Sequence, residues 1–247
     1  MVHSFCYYPQ TKMKLYQELI RDVRIREGLK SCMNCGVCTA ICPAAEFYDY
    51  DPRIIAGIVQ SKDDRKIEEL LKSDTIWYCG ECMSCKTRCP RGNTPGLIIM
   101  ALRSLSQDLG YFVESEKGRQ QLAIKRVIGE NIVYKGYCVL PESLIPELHP
   151  EQGPVGEWIF NNKEEIYERV GANYKGNGEG ALRKIPQESL DEIYRIFEVS
   201  GGFDRFDKIE HFSKAKAESL GFSEENDDYA SYVDYIYTTD NGKHNKQ

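Results

Sequence analysis

Apolar residues recur along this chain at the 3.6-residue period of helices, and over residues 12–130 no strand-like alternation occurs. Tyr16, Leu19, Ile20 and Val23 predict an amphipathic helix over residues 12–29, with Gly28 near its stop. Residues 37–42 leave room for about one helical turn before Pro43. Asp51-Pro52 reads as a helix start, with Asp as N-cap and Pro first in the helix. Ile54, Ile55, Ile58 and Val59 make its inward stripe. Ser61 and Asp64 are spaced as a variant capping-box pair ahead of a helix carrying Ile67, Leu70 and Leu71. Asn93-Thr94-Pro95 opens another helix, with Leu97, Ile98, Ala101, Leu102 and Leu105 inward and Gly110 as its stop. A further helix over residues 117–130 uses Leu122, Ile124, Val127 and Ile128.

Pro141, Pro146, Pro150 and Pro154 then space an irregular stretch. Helical periodicity resumes over residues 155–170 and ends at Gly171, and residues 175–180 read as a flexible glycine-rich link. Helices follow at 187–199 and 204–219. Residues 223–237 are acidic and rich in tyrosine (Tyr229, Tyr232, Tyr235, Tyr237), and residues 238–247 have the composition of a disordered tail. The pattern predicts an all-α chain: a helical domain over 1–135, a proline-rich connector over 136–154, a helical extension over 155–237 and the tail.

Length and charge narrow the function. A chain of 247 residues makes one large domain or two modest ones. A net charge of −6 leaves no basic field for nucleic acid. The longest apolar run, residues 97–102, is far short of the roughly 20 residues that cross a bilayer. The first residues lack the pattern of a signal peptide, so a cytoplasmic protein is expected. In that reducing compartment ten cysteines point to metal rather than to disulfides.

Eight of those ten fall in two runs. Cys32, Cys35, Cys38 and Cys42-Pro43 form one; Cys79, Cys82, Cys85 and Cys89-Pro90 form the other, offset by 47 residues. Both read C-x2-C-x2-C-x3-C-P, in which three thiolates take one cubane and the cysteine before proline reaches to a second. This spacing predicts two [4Fe–4S] clusters: one on Cys32, Cys35, Cys38 and Cys89, the other on Cys79, Cys82, Cys85 and Cys42. Gly36 and Gly80 let the backbone come close to the inorganic sulfides. Structural zinc uses two C-x2-C knuckles separated by a longer loop, which is not this pattern.

Lys86, Arg88 and Arg91 flank the second run, against a lone Glu81, while no charge lies between Cys32 and Pro43. Cations favour the more negative reduced state, so the cluster held mainly by the second run is expected to be the easier to reduce. The alternative is that these cations are solvated or face an acidic partner. Cys6 and Cys138 stand alone as small buried or incidental residues, and the four histidines have no metal spacing. Trp77 and Tyr78 are expected to pack beside the cluster. There is no dinucleotide fingerprint, phosphate loop, nucleophile elbow or acid–base pair, so no catalytic residue is assigned.

On residues 32–43 and 79–90 the chain resembles the α-helical ferredoxin domains, and among them the C-type iron–sulfur subunits of heterodisulfide reductase and their relatives in sulfur-oxidising bacteria and archaea. The resemblance covers about residues 12–130. It implies a non-catalytic, cytoplasmic electron-transfer subunit of a hetero-oligomer in sulfur metabolism. Its partners would be the A-type flavin iron–sulfur subunit and the B-type catalytic, cysteine-rich subunit, which handles disulfide or thiol. The C-type subunits of methanogens are expected to be shorter, so the C-terminal extension points toward the sulfur-oxidation branch. No Cys-Cys dipeptide of the catalytic partner's cysteine-rich repeat occurs here. The iron–sulfur subunits of succinate dehydrogenase and fumarate reductase carry an N-terminal [2Fe–2S] domain, for which the 31 residues before Cys32 are too few. The alternatives are another soluble dehydrogenase complex, or a non-redox protein whose clusters are structural.

Overall fold

The computed structural model describes residues 14–146, 152–222, 231–233 and 235–236. Cys6, Tyr229, Tyr237, three of the histidines and the expected tail lie outside the described residues. Among those described there is no β-strand, and the fold is all-α as the periodicity predicts. The chain divides into two compact units between Ser115 and Glu116, ahead of the proline-spaced stretch.

In the first unit the segment expected as one helix is two, α1 (Leu15–Leu19) and α2 (Val23–Gly28). Asp22 causes the break. Its carboxylate caps α2 by accepting the Arg24 N–H at 2.8 Å and is held by the Arg24 guanidinium at 2.6 Å. Helix α3 (Val37–Ala40) lies within the first cysteine run and carries Cys38, and α4 (Ala44–Phe47) follows Pro43. Helix α5 (Pro52–Ser61) starts as predicted, with Asp51 accepting the N–H groups of Arg53 and Ile54. Its inward stripe is Ile55, Ala56 and Val59; Ile54 faces solvent. The expected capping box at Ser61 does not form. Asp63 caps α6 (Asp64–Leu71), Ser61 bonds back to the Ile58 carbonyl, and Asp64 Oδ1 accepts the Tyr16 N–H at 2.8 Å.

A 3₁₀ turn (Asp74–Trp77) leads into the second cysteine run, which holds α7 (Ser84–Arg88), and α8 (Pro95–Leu109) follows it. Helix α8 is the axis of this unit, packing on α1, α2, α5, α6 and α7. Ile98, Ile99 and Leu102 are fully buried against Leu19, Ile55, Val59, Ile67, Leu71 and Ile76. Each such side chain contributes about 1.5–3 kcal/mol of apolar transfer. Gly110, at φ 76°, ends the helix in the left-handed conformation.

The second unit opens with α9 (Glu116–Arg119) and α10 (Gln121–Ile124), runs through a π turn (Lys125–Gly129) and continues as α11 (Glu130–Lys135). Ile124, expected inward, is exposed. Helices α12 (Gly153–Asn161) and α13 (Lys163–Arg169) split the predicted 155–170 segment at Asn162. The predicted flexible link is an organised loop. Asn173 Nδ2 donates to the carbonyls of Asn177 and Glu179, each at 2.9 Å, and Lys184 N–H reaches the Gly176 carbonyl at 2.9 Å. Helices α14 (Gln187–Ser200) and α15 (Gly202–Ser219) meet at Gly201. Glu210 on α15 takes Lys125 at 2.9 Å and Arg126 at 2.7 Å.

Candidate metal centre

The two cysteine runs share one backbone design. Asn34 (φ 59°) and Glu81 (φ 53°) occupy equivalent places, as do Gly36 (φ 82°) and Met83 (φ 58°). Each loop bends twice through the left-handed region and then enters a short helix, α3 or α7, and these two helices pack on each other. Gly36 is therefore where a positive φ is required. Gly80 is not in that region; its counterpart is Met33. Glu81 and Met83 adopt the left-handed conformation without a glycine.

The cysteines line two cavities. The tighter one is lined by Cys32, Cys35, Cys38 and Cys89, together with Arg53, Arg91 and Asn93. The larger, about 440 Å³, is lined by Cys42, Cys79, Cys82 and Cys85 with Phe47, Tyr48, Tyr50 and Tyr78, and by no charged side chain. Each therefore draws three cysteines from one run and the cysteine before proline from the other. Cys35 and Cys82 are exposed and the other six partly buried; Cys138 is exposed and lines neither cavity. Among the described residues no three His, Cys, Asp or Glu side chains gather closely enough for a single metal ion. The four thiols of the larger set stand around an open space, as a cubane requires, whereas the tighter set encloses about 20 Å³.

Donors face the sulfurs. Asn34 N–H lies 3.4 Å from Cys32 Sγ, and Asn93 N–H and Nδ2 lie 3.3 and 3.6 Å from Cys89 Sγ. Burial pushes the Cys89 thiol up, but the N–H groups of Arg91, Asn93 and Gly92 outweigh it and hold the group below the ordinary thiol range. Hydrogen bonds from Ser84 lower Cys82, whereas burial raises Cys38 and Cys85. The buried Tyr50 hydroxyl is raised by burial and bonds Cys79. Tyr78 stacks on Tyr48 at 4.6 Å and meets Tyr50 edge-on, so it packs beside the cavity as expected. A thiolate-rich pocket ringed by N–H donors fits an iron–sulfur cluster, whose sulfurs accept such bonds.

Several residues that set this geometry carry no motif. Asn93 Oδ1 accepts the Lys30 N–H at 2.7 Å, tying the approach to the first run to the exit of the second. Gln60 takes the Cys32 N–H at 2.7 Å and donates to the Cys32 carbonyl at 3.1 Å. Arg103 donates to the carbonyls of Ile76 at 2.7 Å and Cys79 at 2.6 Å and pairs with Glu81 at 2.6 Å. The flanking cations also sort differently from their order in sequence. Arg91 follows Cys89, which crosses over, and so lines the first run's cavity; Lys86 and Arg88 line neither.

Fold and site together define a helical dicluster iron–sulfur protein. Residues 28–93 match the 4Fe-4S dicluster domain family, and two [4Fe–4S] clusters are its cofactors. The chain is 33% identical over 194 residues to the C-type subunit of the ferredoxin:CoB-CoM heterodisulfide reductase of Methanosarcina acetivorans, a match covering 78% of this chain and 69% of that protein. It is 28% identical over 155 residues to a C-type iron–sulfur subunit of the CoB–CoM heterodisulfide reductase of Methanocaldococcus jannaschii, covering 60% and 76%. A second Methanosarcina acetivorans protein, the C-type subunit of the ferredoxin/F420H2-dependent CoB-CoM heterodisulfide reductase, is 31% identical over 155 residues, covering 61% and 87%. The chain belongs to the family of C-type heterodisulfide reductase subunits, which are electron-transfer iron–sulfur proteins. The first of these relatives is longer than this chain and the other two are shorter, so length does not separate this chain from the C-type subunits of methanogens. Among the described residues no helix is long and apolar enough to cross a membrane.

Proposed function

We propose that this chain is the electron relay of a heterodisulfide reductase-type complex, standing between a flavin-bearing subunit and a cysteine-rich subunit that handles disulfide or thiol. In this reading Cys32, Cys35, Cys38 and Cys89 hold one cluster, and Cys79, Cys82, Cys85 and Cys42 hold the other. The observation that carries it is the lining of the two cavities, each with three thiols of one run and the pre-proline thiol of its partner. The clusters supply reversible one-electron chemistry. The chain's own part is to hold the thiolates, aim N–H donors at them and limit water, with Cys35 and Cys82 as the exposed corners. Cross-ligation ties the two sites into one body, favouring the short separation that tunnelling needs.

The second unit suits partner docking. Helices α12, α13 and α14 contain no fully buried residue, while Val155, Trp158, Ile196 and Val199 are more than half exposed. Anaerobic purification of the native complex with mass spectrometry of its components tests this function. A flavoprotein and a cysteine-rich subunit are expected to co-purify, and dithionite is expected to bleach the visible absorption reversibly. A protein that purifies alone, with clusters that dithionite leaves unchanged, is a structural iron–sulfur protein instead.

A further inference from the structure

The guanidinium of Arg53 has a donor that the chain leaves unused. Its Nη2 is held by Asp51 Oδ2 at 2.8 Å, yet its Nε is buried with no hydrogen-bond partner. The side chain as a whole is 36% exposed, so this is one shielded donor on a half-buried cation, and a shielded N–H without an acceptor calls for an explanation. Arg53 lines the cavity of Cys32, Cys35, Cys38 and Cys89. The one carboxamide there, Asn93, already has its oxygen on the Lys30 N–H. The acceptors left among the lining side chains are sulfurs.

Charge points the same way. Arg53 and Arg91 both line this cavity, and no charged side chain lines the other. The carboxylate facing Arg53, Asp51, is shared among the Thr39 hydroxyl and the N–H groups of Arg53 and Ile54 at the start of α5, so it offsets the guanidinium only in part. Near the second cavity Glu81 is cancelled by Arg103 at 2.6 Å. Reduction adds one negative charge to a cluster, and both an N–H donated to its sulfur and a nearby cation stabilise that charge.

We propose that Arg53 donates its Nε–H to a sulfur of the cluster held by Cys32, Cys35, Cys38 and Cys89 and, with Arg91, makes this cluster the more readily reduced of the two. This order is the reverse of the one expected from the cations flanking the second run. It rests on the sorting of ligands proposed above.

The test is an EPR-monitored redox titration of the full-length protein, loaded with both clusters under anaerobic conditions. Cys35→Ser and Cys82→Ser assign the two midpoints. In the wild type the midpoint assigned through Cys35 should be the less negative. Arg53→Gln and Arg91→Gln should each move that midpoint to a more negative potential and leave the other in place, while Lys86→Gln and Arg88→Gln move neither. Arg53→Lys keeps the charge but not the Nε–H, and should give an intermediate shift; it also serves if Arg53→Gln loads poorly. An unmoved midpoint in both Arg53 variants, or a wild-type order with the Cys82 cluster less negative, overturns the proposal. A wrong sorting of ligands shows itself separately, as Cys35→Ser and Cys89→Ser perturbing different signals.

Discussion

Asn93 and Cys89 are joined twice: the Asn93 N–H lies 3.3 Å from the Cys89 sulfur and its carboxamide nitrogen 3.6 Å from it. The same side chain, almost fully buried, takes the Lys30 N–H on its oxygen. Asn93→Leu leaves that part-buried N–H without its acceptor and should cost about 0.5–1.5 kcal/mol. Thermal unfolding of the loaded protein measures the loss. Iron analysis should show weaker retention in the variant, and full retention at unchanged stability would remove Asn93 from this role.

Arg103 fastens the second cysteine loop by its backbone, donating to the carbonyls of Ile76 and Cys79 while its guanidinium carbon lies 5.5 Å from the Trp77 ring centroid. A lysine cannot reproduce this planar fork. Arg103→Lys is expected to lower stability by about 1.5–3 kcal/mol in denaturant titrations, despite keeping the charge. Glu81→Gln, which removes only the more exposed partner, should cost much less.

Gly28 and Gly57 are both helical glycines with opposite surroundings. A Cβ at Gly28 would sit 3.0 Å from the Thr94 carbonyl oxygen and 3.0 Å from Leu97 Cβ, where α2 meets α8; at Gly57 it would meet nothing within 4 Å. Gly28→Ala should destabilise by about 1–3 kcal/mol through overpacking against backbone that cannot give way. Gly57→Ala should stabilise by about 0.5–1 kcal/mol by restricting the unfolded chain. Paired melting curves decide both.

Glu210 carries a pH dependence in the second unit. Burial pushes its carboxyl up, but hydrogen bonds and charges from Arg126 and Lys125 prevail and bring it down to about 2. A depressed carboxyl contributes stability that is complete above the ordinary value of about 4.3 and is lost as pH falls toward 2. Allowing for solvent screening, the contribution is about 2 kcal/mol at neutral pH. The stability difference between wild type and Glu210→Gln, followed by circular dichroism from pH 6 downward, should shrink below pH 4.5. A difference that stays constant with pH would assign Glu210 a packing role only.

The helices and the cysteines were legible because their signals are local. A 3.6-residue stripe, Asp51 before Pro52, and C-x2-C-x2-C-x3-C-P each depend on neighbours within a turn or two. The errors came where a competing local bond won. Asp22 captured Arg24 and broke a helix, Asp63 took the cap expected at Ser61, and Asn173 organised a loop that glycine content marked as flexible. Gln60 and Arg103 could not have been found from a motif, since each meets the cysteine loops from more than twenty residues away, and Asn93, although four residues after Cys89, takes its second partner, Lys30, from across the fold.

The sequence by itself determined the helical class, the eight thiols and the cofactor they suit, because ligand spacing within a run is a property of the chain's covalent geometry. Only the tertiary structure decided which charges stand beside which thiols. Arg91 lies close in sequence to the second run but lines the first run's cavity, because Cys89 crosses between them, and Arg53 arrives there from α5. Electrostatic tuning acts through space, over distances set by helix packing around α8, and no linear pattern of residues encodes those distances.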